Sequence, residues 1–170
     1  MAVHFAIVAL LGLHAIAGYL AFNPNVSDPY AAYYIHRTTA LTMREQARVR
    51  SIDLGQKLAA STTLVAFDGW HSWDGTQRQS ARRDPTVIFV VRNEMVETRA
   101  TVMQLETSKR PSKLVTATLN GFETTVSIAD DGLTVVLPVG ALRVGENALT
   151  LRVPTTDPLL LTSFGIVARS

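Results

Sequence analysis

The 170-residue chain contains no cysteine, which removes disulfides, thiolate nucleophiles and thiolate metal sites from consideration. Charge is sparse as well. The first 22 residues, MAVHFAIVALLGLHAIAGYLAF, hold no Lys, Arg, Asp or Glu, and His4 and His14 are their strongly polar side chains. Residues 61–170 carry eleven Lys/Arg and eleven Asp/Glu with the signs interspersed. No basic patch exists there to displace phosphate counterions, so nucleic acid is not an expected partner. Catalytic patterning is missing too: Ser72 sits in no nucleophile elbow, and one histidine, His71, between Asp68 and Asp74 is a thin set for a metal.

What is present begins with that uncharged stretch. As a helix rising 1.5 Å per residue, its 22 residues reach roughly 33 Å, about the hydrocarbon thickness of a bilayer. Residues 1–22 are therefore expected to be a single transmembrane anchor. Ala15-Ile16-Ala17 also has the small-x-small form of a signal-peptide cleavage site, but the segment ahead of it lacks Lys and Arg, which favours retention. Arg37, the nearest cation after the span, lies 15 residues beyond Phe22, so the positive-inside rule is almost silent. An extracytoplasmic, periplasmic placement of the rest is taken from the type of domain that follows. Gly12, Ala15 and Gly18 would let a neighbouring helix approach closely, and an imidazole at the depth of His14 requires a partner. Two roles for His14 stand open: a hydrogen bond to another membrane helix, or ligation of a chlorophyll or haem metal through a ring nitrogen.

Residues 23–61 read as a juxtamembrane linker. Asn23-Pro24-Asn25 signals a turn, and Ser27-Asp28-Pro29 is a helix start with a cap and a first-turn proline. Tyr30, Tyr33 and Tyr34 fall at i, i+3 and i+4, suited either to a membrane interface or to packing. The pattern from Leu41 to Leu58 is moderately amphipathic and predicts a connecting helix ending by Ala60. Its Arg37, Arg44, Arg48 and Arg50 form either a solvated face or a contact with lipid head groups.

From residue 62 the hydrophobic period becomes that of strands. Eight are expected: 62–67, 86–92, 98–106, 113–119, 123–128, 134–137, 148–153 and 160–168. Asn120-Gly121 is a strong hairpin signal and Asp131-Gly132 a second turn. Leu149, Leu151 and Val153 alternate with Thr150 and Arg152, as in strands that bury one face. The class expected for residues 62–170 is thus mainly β, an antiparallel sandwich of about eight strands.

The run Leu137-Pro138-Val139-Gly140-Ala141-Leu142-Arg143-Val144-Gly145-Glu146-Asn147-Ala148-Leu149-Thr150-Leu151, after Leu119-Asn120-Gly121 and before the strand around Phe164, resembles the C-terminal half of galactose-binding-like jelly rolls. There a G-x-N loop leads into a late strand. The resemblance spans roughly residues 62–169. It implies a jelly roll, and either carbohydrate binding or service as an accessory, protein-contact module.

Both tryptophans lie in one stretch, Phe67-Asp68-Gly69-Trp70-His71-Ser72-Trp73-Asp74-Gly75-Thr76-Gln77-Arg78. Exposed rings of Trp70 and Trp73 would stack on sugar C–H groups while Asp68 and Arg78 bonded hydroxyls, with the His71 imidazole beside them in the same binding set. The same residues would equally close one end of the sandwich, with Trp buried and Arg paired to Asp, or meet a protein. The combined expectation is a non-catalytic accessory subunit. It docks through its anchor into a respiratory, photosynthetic or glycan-assembling membrane complex and clamps that complex with its sandwich. A membrane-tethered carbohydrate-binding module is the alternative, and no cofactor is required by either.

Overall fold

A computed structural model describes residues 10–19, 26–27, 30–35, 37–92, 101–111, 115–154 and 156–168. The chain divides into two units, Met1–Thr38 and Thr39–Ser170.

In the first unit residues 10–19 are helical, and Leu10, Leu11, Leu13 and Ile16 are all exposed. Residues 1–9 and 20–22 of the expected anchor lie outside the described residues. Among the described residues no helix is long and apolar enough to cross a membrane. Ala31–Ile35 forms a π-helical turn, and the Tyr34 ring packs at 4.6 Å from both Tyr30 and Tyr33. Tyr34 thus contacts both of the other tyrosines, the edge-to-face pair with Tyr33 being a favoured aromatic geometry.

The second unit is mainly β. Its described strands are β1 (Lys57–Ala59), β2 (Ala66–Asp68), β3 (Arg78–Gln79), β4 (Thr86–Val91), β5 (Thr101–Thr107), β6 (Thr116–Leu119), β7 (Phe122–Thr124), β8 (Val126–Ile128), β9 (Gly132–Leu137), β10 (Gly145–Arg152) and β11 (Leu160–Ala168). One antiparallel sheet runs β1-β11-β5-β9-β8, with β3 also paired to β11; the other runs β2-β4-β10-β6-β7. Alternation explains the packing. In β10, Asn147, Leu149 and Leu151 are fully buried while the residues between them face outward. Phe89 of β4, Leu119 of β6, Met103 and Leu105 of β5, Val135 of β9 and Phe164 of β11 join them in one core drawn from both sheets. Each such large side chain contributes roughly 1.5–3 kcal/mol of hydrophobic stabilisation.

The pairing fixes two ends. Gly145 opposes Val91, and Thr101 opposes both Leu137 and Ala168, so the loop of residues 138–144 closes one end of the unit. At that end Asn120 (φ 52°) and Gly121 (φ 87°) form the β6–β7 turn, both in the left-handed region that this hairpin demands. Asn147 ties turn and loop together. Its side chain accepts from Arg143 N (2.8 Å) and Asn120 Nδ2 (2.8 Å) and donates to the carbonyls of Arg143 (2.7 Å) and Gly145 (3.0 Å). The G-x-N pattern is therefore a buried and fully bonded amide.

Two expectations are corrected. The connecting helix of residues 29–60 does not form: its described part holds the π-turn and one α-helical turn, Met43–Gln46, and β1 already begins at Lys57. Thr42 and Glu45 do make a capping box, the Glu45 carboxylate accepting from Thr42 N at 2.8 Å. Tertiary burial then overrides helical continuation, because Leu41 and Val49 pack with Ala66 and Ile88 on the outer face of the β2-β4-β10-β6-β7 sheet. Glu146 fastens this strap by accepting from Thr39 Oγ1 and from Ala40 N at 2.8 Å. The compact unit accordingly starts at Thr39 rather than at residue 62. Secondly, the single strand expected over 123–128 is two. Thr125 breaks it, so that β7 pairs β6 in one sheet while β8 pairs β9 in the other.

Candidate functional site

The aromatic stretch 67–78 lies beside β3 and serves the packing of the unit. Trp70 is 9% exposed, and its indole N–H donates to the Thr86 carbonyl at 3.2 Å. Its ring meets Phe67 edge-on at 6.2 Å, and Phe67 meets Phe164 at 5.9 Å, which extends the core beneath the loop. Arg78 lies 4.3 Å over the Phe67 ring, donates Nε to the Ala60 carbonyl (3.0 Å) and Nη1 to the His71 carbonyl (2.9 Å). Burial pulls its pKa below the usual arginine value, and the cation is matched by ring and carbonyls rather than by an acid.

The other singled-out residues diverge. Trp73 is half-buried against the core. Asp68 is exposed and paired with Arg82 at 3.5 Å, and the His71 side chain is exposed. Asp74 folds its own loop, accepting from Gln77 N and Thr76 N (each 2.8 Å) and Thr76 Oγ1 (2.9 Å). The Gln77 N–H, then the Thr76 groups, hold its carboxyl below the ordinary aspartate range. A sugar platform needs an open ring face, and Trp70 presents none. The geometry is that of closure, with Arg78 paired to backbone instead of to aspartate.

His14 makes a bond within its own helix, Nδ1 to the Leu10 carbonyl at 2.9 Å. A carbonyl only accepts, so Nδ1 is the donor of this bond. Gly12, Ala15 and Gly18 sit on the same helical stretch, and a Cβ at either glycine would meet no atom within 4 Å.

Sequence reading did not single out a groove on the outer face of the β2-β4-β10-β6-β7 sheet. Cross-strand register aligns Thr86, Thr150, Thr118 and Glu123 in one row over four strands. Thr86 and Thr150 share a hydroxyl hydrogen bond of 2.9 Å. In the adjacent row Arg152 opposes Thr116 and donates Nε to Asp84 at 3.2 Å. The groove, about 540 Å³, falls in the usual range for small-molecule clefts. Strap residues Leu41 and Val49 cover the neighbouring part of the same face, over Ile88. The only sequence trace of the groove is the T-x-T spacing of 116–118 with Thr150, which any solvated strand face can show. Its chemistry is that of hydroxyls with two carboxylates and one guanidinium, suited to hydrogen bonding a polar ligand. Among the described residues no three His, Asp or Glu side chains are grouped to hold a metal ion. Comparison with known protein families, with curated proteins and with solved structures finds no match to this chain.

Proposed function

We propose that the chain is a membrane-anchored accessory subunit that docks through its N-terminal helix and holds its β unit against the extracytoplasmic face of a larger membrane complex. The observation that carries this reading is the strap. Thr39 and Ala40 are bonded to Glu146, and Leu41 and Val49 are buried on the sheet, so the chain enters the β unit at a fixed point. The uncharged residues 1–22, with exposed Leu10, Leu11, Leu13 and Ile16, support the anchor. The order β3-β11-β5-β9 against β4-β10-β6-β7, with successive strands β3 to β6 alternating between sheets, supports a jelly-roll reading and with it the galactose-binding-like resemblance. Isolation of the native protein in mild detergent is expected to bring further membrane subunits in fixed ratio. Recovery as a lone monomer across several mild detergents would sink the proposal.

The second reading, a tethered carbohydrate-binding module, now draws on the threonine groove instead of Trp70. It requires saturable binding on a glycan array that is lost in Thr118→Val/Thr150→Val and retained in Trp73→Phe.

A further inference from the structure

The Thr39–Ser170 unit is polarised between its two ends. Its exposed large hydrophobic side chains, among the described residues, are Leu54 (48%), Phe122 (54%), Val139 (72%) and Val144 (56%). All four belong to the end closed by residues 138–144. Val139 and Val144 are on that loop, and Phe122 follows the Asn120-Gly121 turn, which Asn120 bonds to the Ala141 carbonyl at 2.7 Å. Leu54 precedes Gly55, whose N–H donates to Ile166 O near the close of β11. The opposite end is charged. Arg110–Asp130, Lys109–Asp157, Arg152–Asp84 and Arg82–Asp68 are all paired there.

Thr39, where the chain from the N-terminal segment joins this unit, is held by Glu146 next to Val144, at the apolar end. Residues 23–38 therefore connect the span to this end and not to the charged one, and sixteen residues cannot reach beyond roughly 55 Å. Resting on the reading of residues 1–22 as a membrane anchor, we infer that the apolar end faces the same bilayer and places Leu54, Phe122, Val139 and Val144 in its interface. A lipid surface suits the pattern better than a protein does. The apolar side chains stand on three separate tips, and a fluid apolar phase takes up such protrusions with no matching shape, whereas a protein interface gathers its apolar residues into one packed centre. Among the described residues the charge at this end is balanced, Arg92 and Arg143 against Asp53 and Glu146, so contact is driven by apolar burial.

The absence of cysteine makes the test direct, since one introduced thiol takes one label. The full chain carrying Val139→Cys, Arg83→Cys or Ala15→Cys is labelled with an environment-sensitive fluorophore and reconstituted in phosphatidylcholine vesicles containing nitroxide lipids. Positions 139 and 83 are exposed, on loops at opposite ends, so neither substitution disturbs the core. The expected result is several-fold stronger quenching at 139 than at 83 by shallow nitroxides, with 15 quenched by deep ones. Weak and equal quenching at 139 and 83, with 15 still quenched, overturns this inference and leaves the anchor intact. Loss of quenching at 15 overturns both. A label at 139 that is unquenched by lipid and shielded only when co-purifying subunits are present also overturns it, and assigns the end to a protein.

Discussion

Asn147→Asp replaces a buried amide by a group of the same size, so its effect isolates hydrogen bonding from packing. Asn147 donates to the carbonyls of Arg143 and Gly145 and accepts from Arg143 N and Asn120 Nδ2. A carboxylate keeps the accepted bonds, loses both donated ones and directs negative charge at two carbonyl oxygens. Each buried polar group left unsatisfied costs about 1–3 kcal/mol, so a loss of about 3–5 kcal/mol is expected at pH 7. With a urea slope near 2 kcal/mol per molar, the midpoint falls by about 2 M. Fluorescence of buried Trp70 in the full chain, held in mild detergent, reports the transition. The pH dependence carries a sign. Once protonated, the introduced carboxyl group donates to one carbonyl again, so its pKa in the folded state is raised above the unfolded value near 3.9. The folded variant then binds more protons than the unfolded one. Its stability relative to the parent is best below about pH 4 and declines as pH rises through the raised value. A deficit under about 1 kcal/mol, or one of the same size at pH 4 and pH 7, would refute the account of Asn147 as the bonded centre of this end.

Glu146→Ala releases Thr39 and Ala40, and trypsin cleavage in the strap at Arg44, Arg48 or Arg50 is expected to quicken several-fold; unchanged cleavage would mean that Leu41 and Val49 alone hold the segment. A Cβ at Gly165 would stand 2.7 Å from the Gln56 carbonyl oxygen, so Gly165→Ala should displace β1, cost about 1–3 kcal/mol and speed amide exchange at residues 57–59. Hydrogen bonds from Lys57 first and Ser163 second hold the Glu106 carboxyl below its ordinary range. Its contribution is present above the unfolded value and disappears as pH falls through the lowered one. The parent should therefore exceed Glu106→Gln in stability at pH 7, by less than about 1 kcal/mol because the pair is solvated, and the gap should close in acid urea titrations.

The strands that sequence reading located best are those whose own residues supply alternation and length. The boundaries of β11 emerge as expected, and β4 differs only at Arg92. Asn120-Gly121 and Gly145-Glu146-Asn147 were also visible, because left-handed backbone and a bonded amide demand particular residues. Strands β1 and β3, three and two residues long, owe their conformation to the long partner β11 and leave no local period. The strap was misread as helix for the reason that misleads in any amphipathic segment: Leu41, Val49, Ile52 and Leu58 mark a buried face without stating which secondary structure buries it. Trp70 and Arg78 attracted notice by composition, but whether an aromatic ring is open or covered depends on Phe67, Phe164 and the Thr86 carbonyl, which meet it only after folding. The threonine row is likewise a product of register across four strands.

The pairing of β1 with β11 has a consequence for biosynthesis. Residues 57–59 wait for 163–165, more than a hundred positions later, before their backbone groups find partners, and β3 and β5 wait on the same strand. The sheet they belong to cannot close until β11 has left the ribosome, and pairings this distant in sequence are slow to form. During that interval the strands are open to wrong partners.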